Sequence, residues 1–205
     1  MKKIFAIILF AFVVLTGSLQ AQTKQYYSVG WDVGMPTGSF SDYISETSLR
    51  GGFFSGNIFV TNAVSIGFKF GYNSYHENVD RQTYYGSDGS AITAGTYNYL
   101  VSAPMQVGGY YHFNLGVVEP YIGVGVGINY ISEETIIQDW DVSDDQWAFL
   151  VNPEIGLRVP ISNTPLAIGV RAGYNFNVNK YEPLGVKYDN FQSVNLGLSL
   201  SWTVQ

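Results

Sequence analysis

The sequence predicts an all-β protein: an eight-stranded antiparallel up-and-down transmembrane β-barrel that follows a cleaved signal peptide. Three observations carry this prediction. The 205 residues include 23 glycines, 16% aromatic residues and only 13% charged residues, whereas soluble domains carry about 25% charged residues. Apolar and small polar residues alternate with a period of two along most of the chain, as in strands. The connections between these strands alternate between long and short, which is typical of membrane-spanning barrels.

Residues 1–21 have the features of a secretory signal peptide. Lys2 and Lys3 give a positively charged start, and Ile4 to Leu15 is an unbroken apolar run. A membrane-spanning helix needs about 20 apolar residues, so this run is too short to be an anchor. The small polar residues that follow place cleavage after Ala21, and residues 22–205 then form a single barrel domain.

Eight segments separate an apolar face from a face of glycine, serine and asparagine. In chain order, the apolar faces are Tyr27, Val29, Trp31 and Val33; Phe54, Gly56, Ile58 and Val60; Val64, Ile66, Phe68, Phe70 and Tyr72; Val101, Ala103, Met105, Val107, Tyr111 and Phe113; Ile122, Val124, Val126, Ile128 and Tyr130; Phe149, Val151, Pro153, Ile155 and Leu157; Ile168, Val170, Ala172, Tyr174 and Phe176; and Val194, Leu196, Leu198, Leu200 and Trp202. Even strand number favours closure into an up-and-down barrel.

The connections between the eight segments fall into two classes. Short turns are predicted at 61–62, 114–118 and 161–165, and long loops at 35–50, 75–96, 131–146 and 178–190. In an up-and-down barrel the two classes lie at opposite ends, with the short turns on the periplasmic side.

The polar face carries too few charges to be a water-exposed surface. The apolar face therefore points to lipid and the polar face to the lumen; a lipocalin-like soluble barrel, which shares the strand rhythm, is the alternative. Aromatic residues then form two girdles at the membrane interfaces. One girdle, at the long-loop end, comprises Tyr72, Tyr130, Trp147, Phe149, Tyr174 and Phe176, and the other comprises Tyr27, Tyr111, Phe113 and Trp202.

The lumen face holds the candidate functional residues. Its charges are Lys69, Glu154, Arg158 and Arg171, and its larger amides are Gln106, Asn129 and Asn152. A turn centred between Ser162 and Asn163 sets Glu154 opposite Arg171, and an unpaired buried charge is costly, so an ion pair is expected. Such a pair is either a structural plug in a barrel whose interior side chains just fill, or a gate over a narrow water path.

The chain resembles the small outer-membrane β-barrel family of Gram-negative bacteria, and within it the porin-family β-barrel domain common in the Bacteroidetes. The matching stretches are Gly34–Tyr43, Pro104–Phe113, Pro120–Gly127 and Leu196–Trp202. The resemblance implies residence in the outer membrane, contact with its lipid and lipopolysaccharide, and insertion by the barrel assembly machinery. These motifs are structural and imply no reaction. In many relatives the last strand ends in a terminal aromatic residue, whereas here Trp202 is followed by three more residues.

Catalytic, metal and nucleic-acid functions have little support in the sequence. There is no cysteine and there are only two histidines; His76, with Ser74 and Glu77, is the best candidate for a lipid-modifying enzyme, which needs nucleophile, base and orienter in mutual reach. No cofactor is expected. The acidic residues of 131–146 fit a solvated loop better than a calcium site, and no basic patch for nucleic acid is present. Those acidic residues are Glu133, Glu134, Asp139, Asp141, Asp144 and Asp145.

We therefore expect an envelope protein with a structural or surface-interaction role through its long loops. A narrow porin-like channel for small solutes or ions is the alternative, and a lipid-modifying enzyme is third. Loop aromatic residues, which are Tyr75, Tyr84, Tyr85, Tyr97 and Trp140, suit recognition of a surface partner and equally suit packing of the loops over the barrel mouth.

Overall fold

The computed structural model describes residues 24–85, 91–113, 115–137, 140–181 and 188–204. The predicted signal peptide, residues 1–21, lies outside these ranges. Ten strands and one short helix follow one another along the described chain. They are β1 (Gln25–Thr37), α1 (Ser39–Tyr43), β2 (Ser48–Phe59), β3 (Val64–Tyr85), β4 (Ala91–His112), β5 (Glu119–Ile137), β6 (Trp140–Pro160), β7 (Leu166–Val178), β8 (Lys180–Tyr181), β9 (Tyr188–Asp189) and β10 (Gln192–Val204).

Eight of these strands form the predicted antiparallel barrel. Each pairs with its neighbour along the chain, and β10 closes the sheet by pairing with β1, for example Tyr27 with Trp202. The strands β8 and β9 form a separate two-stranded hairpin. Among the described residues, no helix is long and apolar enough to cross a membrane, and that search does not address strands.

Exposure follows the predicted alternation. Along β5, Ile122, Val124, Val126 and Ile128 are exposed, while the intervening Gly125 and Asn129 are buried. Glycine leaves room there for bulky lumen neighbours: a Cβ atom on Gly123 would lie 2.3 Å from the Tyr110 ring. The outside of the barrel is therefore a continuous apolar surface, and its inside is polar.

Two of the four predicted long loops are mostly strand. β3 continues to Tyr85 and β4 begins at Ala91, while β5 continues to Ile137 and β6 begins at Trp140. The prediction of loops over 75–96 and 131–146 is wrong in this respect. The residues there are polar on both faces, so the sequence lacks the alternation that indicates a strand. These four strands rise beyond the rest of the barrel as one sheet.

A small apolar core closes the long-loop end of the lumen. The helix α1 carries Phe40 inward, where its ring stacks on Phe191 with a centroid separation of 4.8 Å and meets Tyr75 edge-on at 4.9 Å. Tyr43, also on α1, donates a hydrogen bond to the carbonyl of Glu134 at 3.0 Å. We call this set the mouth plug; its members are Phe40, Tyr43, Ile44, Tyr75, Leu100, Ile131, Ala148 and Phe191. Tyr75 thus packs in the plug, whereas Tyr97 is exposed and the side chains of Tyr84, Tyr85 and Trp140 lie outside the described part.

Candidate functional site

Three of the four charged residues predicted for the lumen lie together inside the barrel. Glu154 on β6 accepts hydrogen bonds from Lys69 on β3 and from Arg171 on β7, the second with an Nη1–Oε2 distance of 2.8 Å. All three side chains are buried. Tyr121 on β5 donates a further hydrogen bond to the other carboxylate oxygen of Glu154 at 2.9 Å. Four strands around the barrel are therefore tied to one carboxylate.

Asp32 completes this cluster and was not predicted from the sequence. Its Oδ2 atom accepts a hydrogen bond from Arg171 Nη2 at 2.6 Å, so the guanidinium bridges Asp32 and Glu154. The ring of Phe53 lies 4.1 Å from that guanidinium. The signal was present in the sequence, since Asp32 lies between the outward residues Trp31 and Val33 of β1. We call Asp32, Lys69, Glu154 and Arg171 the lumen cluster; it balances two cations with two carboxylates.

The predicted register between β6 and β7 is wrong by two residues. Glu154 opposes Gly173 and Arg171 opposes Gly156. The hairpin is centred between Asn163 and Thr164, one residue later than predicted, and Asn163 takes the left-handed conformation with φ of 62°. Arg171 still reaches Glu154 because its long side chain spans the diagonal between the strands.

Amide side chains extend the lumen cluster toward the mouth plug. Asn152 accepts hydrogen bonds from Lys69 at 2.9 Å and from Gln106 at 3.1 Å, and it donates to Asn175 at 2.8 Å. Asn129 belongs to a separate pair of contacts, with Asn177 and Ser102. Among the predicted lumen amides, Gln106 and Asn152 therefore join the cluster and Asn129 does not contact it.

Arg158, the fourth predicted lumen charge, lies apart at the short-turn end. Its Nη1 atom donates to Glu119 at 2.6 Å, and its other nitrogens donate to Ser201 and Thr203. Glu119 also pairs with Lys24 at 3.2 Å. This arrangement forms a second, smaller ion-paired layer across that end of the lumen.

The residues predicted for the two girdles occupy outward positions near the two ends. Tyr27 stacks on Trp202 with a centroid separation of 5.8 Å, and Tyr111 meets Phe113 at 4.9 Å. At the opposite end Trp147, which is 60% exposed, lies 5.3 Å from Tyr130. The remaining predicted members are Tyr72, Phe149, Tyr174 and Phe176, which are exposed or half-buried on the same surface. Contact with the membrane interfaces stays a prediction.

The structure does not assemble the catalytic set built on His76. His76 lies 4.0 Å from Glu46, Ser74 donates its hydroxyl hydrogen to Tyr99, and Glu77 accepts hydrogen bonds from Ser45. A different serine–histidine contact was missed, since Ser65 Oγ lies 2.8 Å from His112 Nε2. Both side chains are buried, and His112 Nδ1 has no partner among the described residues. That pair therefore lacks an orienting acid. The described residues contain no group of acidic or histidine side chains arranged to hold a metal ion.

The family assignment follows from the closed barrel together with the sequence. Residues 6–202 match the outer membrane protein beta-barrel domain family. The chain belongs to this family. It is an outer membrane protein, so the short turns face the periplasm and the long connections the cell exterior. A search of curated proteins finds no significant match to this sequence.

Solved outer membrane barrels share the fold of this protein. Ail, the attachment invasion locus protein of Yersinia pestis, aligns with a TM-score of 0.55 at 11% identity, over 89% of this chain and 99% of Ail. Ail in complex with the heparin analogue sucrose octasulfate gives 0.56 over the same shares, also at 11% identity. A major outer membrane protein from Thermus thermophilus gives 0.52 at 13% identity, over 88% of this chain and 99% of that protein.

The extracellular continuation of β5 and β6 in this outer membrane protein holds one buried acid. Glu133 lies above the girdle residues Tyr130 and Trp147, and its Oε1 atom accepts a hydrogen bond from Gln146 at 2.8 Å. Gln146 also exchanges hydrogen bonds with the backbone of Lys180, which fastens the last extracellular connection to β6. Burial raises the pKa of Glu133 to about 8; the Gln146 hydrogen bond lowers it, and the nearby carboxylates of Asp144 and Asp145 raise it further. Glu133 is therefore protonated at neutral pH.

Removing Arg171 from the lumen cluster should destabilise the barrel. Arg171→Ala leaves Asp32 and Glu154 buried with one partner fewer, and breaking a buried pair in this way costs about 3–5 kcal/mol. The measurement is the free energy of unfolding by denaturant in lipid vesicles. Arg171→Lys, which keeps the charge, should recover part of the loss, and the exposed Arg50→Ala serves as control. An Arg171→Ala protein as stable as wild type would contradict the pairing.

The contribution of Glu133 to the stability of this outer membrane protein should fall as the pH rises from about 4.5 to about 8. The folded state keeps the Glu133 proton up to a pKa of about 8, while the unfolded chain releases it near the ordinary value of 4.5; stability declines wherever the folded state binds more protons. Glu133→Gln should remove this part of the slope, and the neighbouring Glu134→Gln should keep it. Unfolding midpoints between about pH 4 and 9 measure both, and an identical slope in Glu133→Gln and wild type would refute the assignment.

Proposed function

We propose that this outer membrane protein acts by surface interaction, through the extracellular part of the sheet formed by β3, β4, β5 and β6, and that its lumen stays closed. The observation that carries the proposal is the unequal height of the strands. β2 pairs with β3 only as far as Ser74, yet β3 runs on to Tyr85. β7 pairs with β6 only from Phe149 onwards along the chain, yet β6 begins at Trp140. At roughly 3.3 Å per residue, the sheet rises about 30 Å along its strands beyond its neighbours.

Both edges of this projecting sheet continue past the barrel strands that flank them. Among the described residues, β2 does not pair with β3 beyond Ser74, and β7 does not pair with β6 before Phe149. An open edge offers a row of backbone donors and acceptors, to which an extended segment of another protein can add as a further strand. The projecting sheet therefore suits a partner that presents an extended peptide.

The charge of the projecting sheet selects among such partners. Asp141, Asp144 and Asp145 are exposed on the β6 edge, and Glu134 lies beside them on β5. Ail was solved with a sulfated heparin analogue, but a polyanion would be repelled by these carboxylates. We propose instead that the partner is a basic extended segment of a protein. Asp139 falls outside the described residues.

A closed lumen accounts for the remaining features. The mouth plug fills the extracellular end, the lumen cluster crosses the interior, and Arg158 with Glu119 crosses the periplasmic end. These layers support a structural role for the cluster and favour it over the gate of a channel. The proposal includes no catalytic activity, because neither histidine belongs to an assembled catalytic set in the described residues. Lipopolysaccharide and the barrel assembly machinery are the further partners that family membership suggests.

The protein should be silent in a planar bilayer. Deleting residues 39–44, the helix of the mouth plug and the residue after it, should leave it silent, because the lumen cluster still blocks the path. Combining that deletion with Asp32→Ser and Arg171→Ser in the lumen cluster and with Glu119→Ser and Arg158→Ser at the periplasmic end, which removes two charges of each sign, should give discrete conductance steps. Slower gel mobility after heating verifies that each variant had folded. Discrete steps from the wild-type protein would overturn the closed-lumen proposal in favour of a channel.

A basic extended peptide should bind the projecting sheet. The probe is a ten-residue peptide of alternating threonine and lysine, measured by fluorescence anisotropy against the protein in nanodiscs. Asp141→Lys with Asp144→Lys should weaken binding at least tenfold, and a backbone N-methylated peptide should bind as weakly because it cannot add to a sheet edge. Asn62→Lys, Leu115→Lys, Val117→Lys and Ser162→Lys together change the net charge equally, at exposed positions of the periplasmic turns, and are the control. Equal losses in both variants would show charge attraction without a site.

A further inference from the structure

An extracellular hydrogen-bond network links a buried acid to the strand β8. Glu133 on β5 is fully buried, and its Oε1 atom accepts a hydrogen bond from Gln146 Nε2 on β6 at 2.8 Å. The same nitrogen donates to the carbonyl of Lys180 at 2.9 Å, and Gln146 Oε1 accepts the amide hydrogen of Lys180 at 3.3 Å. One glutamine side chain therefore joins the acid to the backbone of β8.

Gln146 fastens β8 at a point where the barrel ladder has already stopped. β6 and β7 pair as far as Phe149 with Val178, so Lys180 lies beyond the last backbone pair. Within the described residues, the hairpin of β8 with β9 adds two residue pairs of its own. The start of β8 is thus held to β6 by a side chain rather than by the sheet.

The second carboxylate oxygen of Glu133 has no partner. Oε2 is buried and makes no hydrogen bond among the described residues. Asp144 lies directly opposite Glu133 on β6, and Asp145 is next to it. Like charges that face each other across a sheet repel, so these carboxylates disfavour a further negative charge on Glu133.

The other elements near Glu133 contribute mostly uncharged groups. β4 places Leu100 opposite Glu133, and α1 contributes Tyr43, whose hydroxyl donates a hydrogen bond to the backbone of β5. The charged side chains of Lys180 on β8 and of Asp42 on α1 are exposed to solvent. Burial is the main influence on Glu133, and it raises the pKa of that carboxyl to about 8.

We propose that Glu133, Gln146 and the backbone of Lys180 form a pH-sensitive latch, which holds β8 against β6 while Glu133 carries a proton and releases β8 when Glu133 ionises. Ionisation leaves Oε2 charged, buried and without a donor, which is costly. Movement of β8 lets water reach it, because the ladder that joins β7 to β6 ends at Val178, before β8. The strands around Glu133 stay in place, since β5 pairs with both β4 and β6 there.

Release of the latch would also change the acidic surface of the projecting sheet. It would bring the ionised Glu133 to solvent beside Asp144, so a basic peptide should bind more tightly at about pH 8.5 than at about pH 6. This consequence rests on the surface interaction proposed above, whereas the latch itself does not.

Hydrogen exchange at the Lys180 amide measures the latch, because that amide donates to Gln146. The protein in nanodiscs is labelled between about pH 6 and 8, and each rate is corrected for the pH dependence of exchange in an unstructured peptide. The protection of Lys180 should fall roughly fiftyfold over this range, given a pKa of about 8 with the latch closed and the ordinary 4.5 with it open. Val170, in the ladder of β7 with β6, should exchange far more slowly than Lys180 throughout.

Three variants separate the latch from a general effect of pH. Glu133→Gln keeps an acceptor for Gln146 but cannot ionise, so the protection of Lys180 should be the same at every pH. Glu134→Gln changes the neighbouring acid, which points to the other face of the strand, and should keep the wild-type fall. Gln146→Leu should leave the Lys180 amide poorly protected at every pH.

Two results would overturn the latch: wild-type protection of Lys180 that does not change with pH, or an equal fall in Glu133→Gln. Equal exchange rates at Lys180 and Val170 would overturn it as well, because the whole barrel would then open together. The measurement involves no peptide, so failure of the proposed surface interaction would not alter its outcome.

Discussion

Lipid offers no water to satisfy backbone groups, so closure of the sheet is the condition on which the remaining features depend. β1 and β10 meet this condition by pairing over their full lengths, from Gln25 with Val204 to Thr37 with Gln192. Closure removes both sheet edges within the membrane and turns the apolar side chains outward. It also commits every polar side chain of the other face to a narrow interior, where each must find a partner inside the protein.

The charged lumen side chains find partners because small residues on other strands leave room for them to lie across the barrel. Arg171 is the central example, because it bridges Asp32 and Glu154 while its guanidinium lies over Phe53. A Cβ atom on the adjacent Gly197 would approach Arg171 Nε to 2.7 Å. Glycine at that position therefore lets the long side chain lie across the barrel, and small residues in this lumen are as necessary to the ion pairs as the charged ones.

The local sequence pattern predicted the architecture, whereas contacts between residues that are distant in sequence could not be predicted from it. Period-two alternation predicted the eight strands, because burial on one side of a strand leaves a direct trace in the sequence. The register between β6 and β7 could not be predicted because Asn163 takes a left-handed conformation in the turn that joins them. The ion pair of Asp32 was not predicted because its partner Arg171 is distant in sequence and meets it only after closure. The mouth plug could not be predicted because Phe40 and Phe191 are distant in sequence and meet only after closure.

The projecting sheet lies outside the membrane, where closure of the sheet is not required. Outside the membrane, water can satisfy an open strand edge, so β3 and β6 continue where their neighbours stop. An open edge still invites pairing between copies of the same chain, and charged side chains suppress such pairing. Asp141, Asp144 and Asp145 place like charges along the β6 edge, so two copies repel each other there. Under the proposed surface interaction, those same carboxylates would attract a basic strand, so one feature would both disfavour self-association and select the partner.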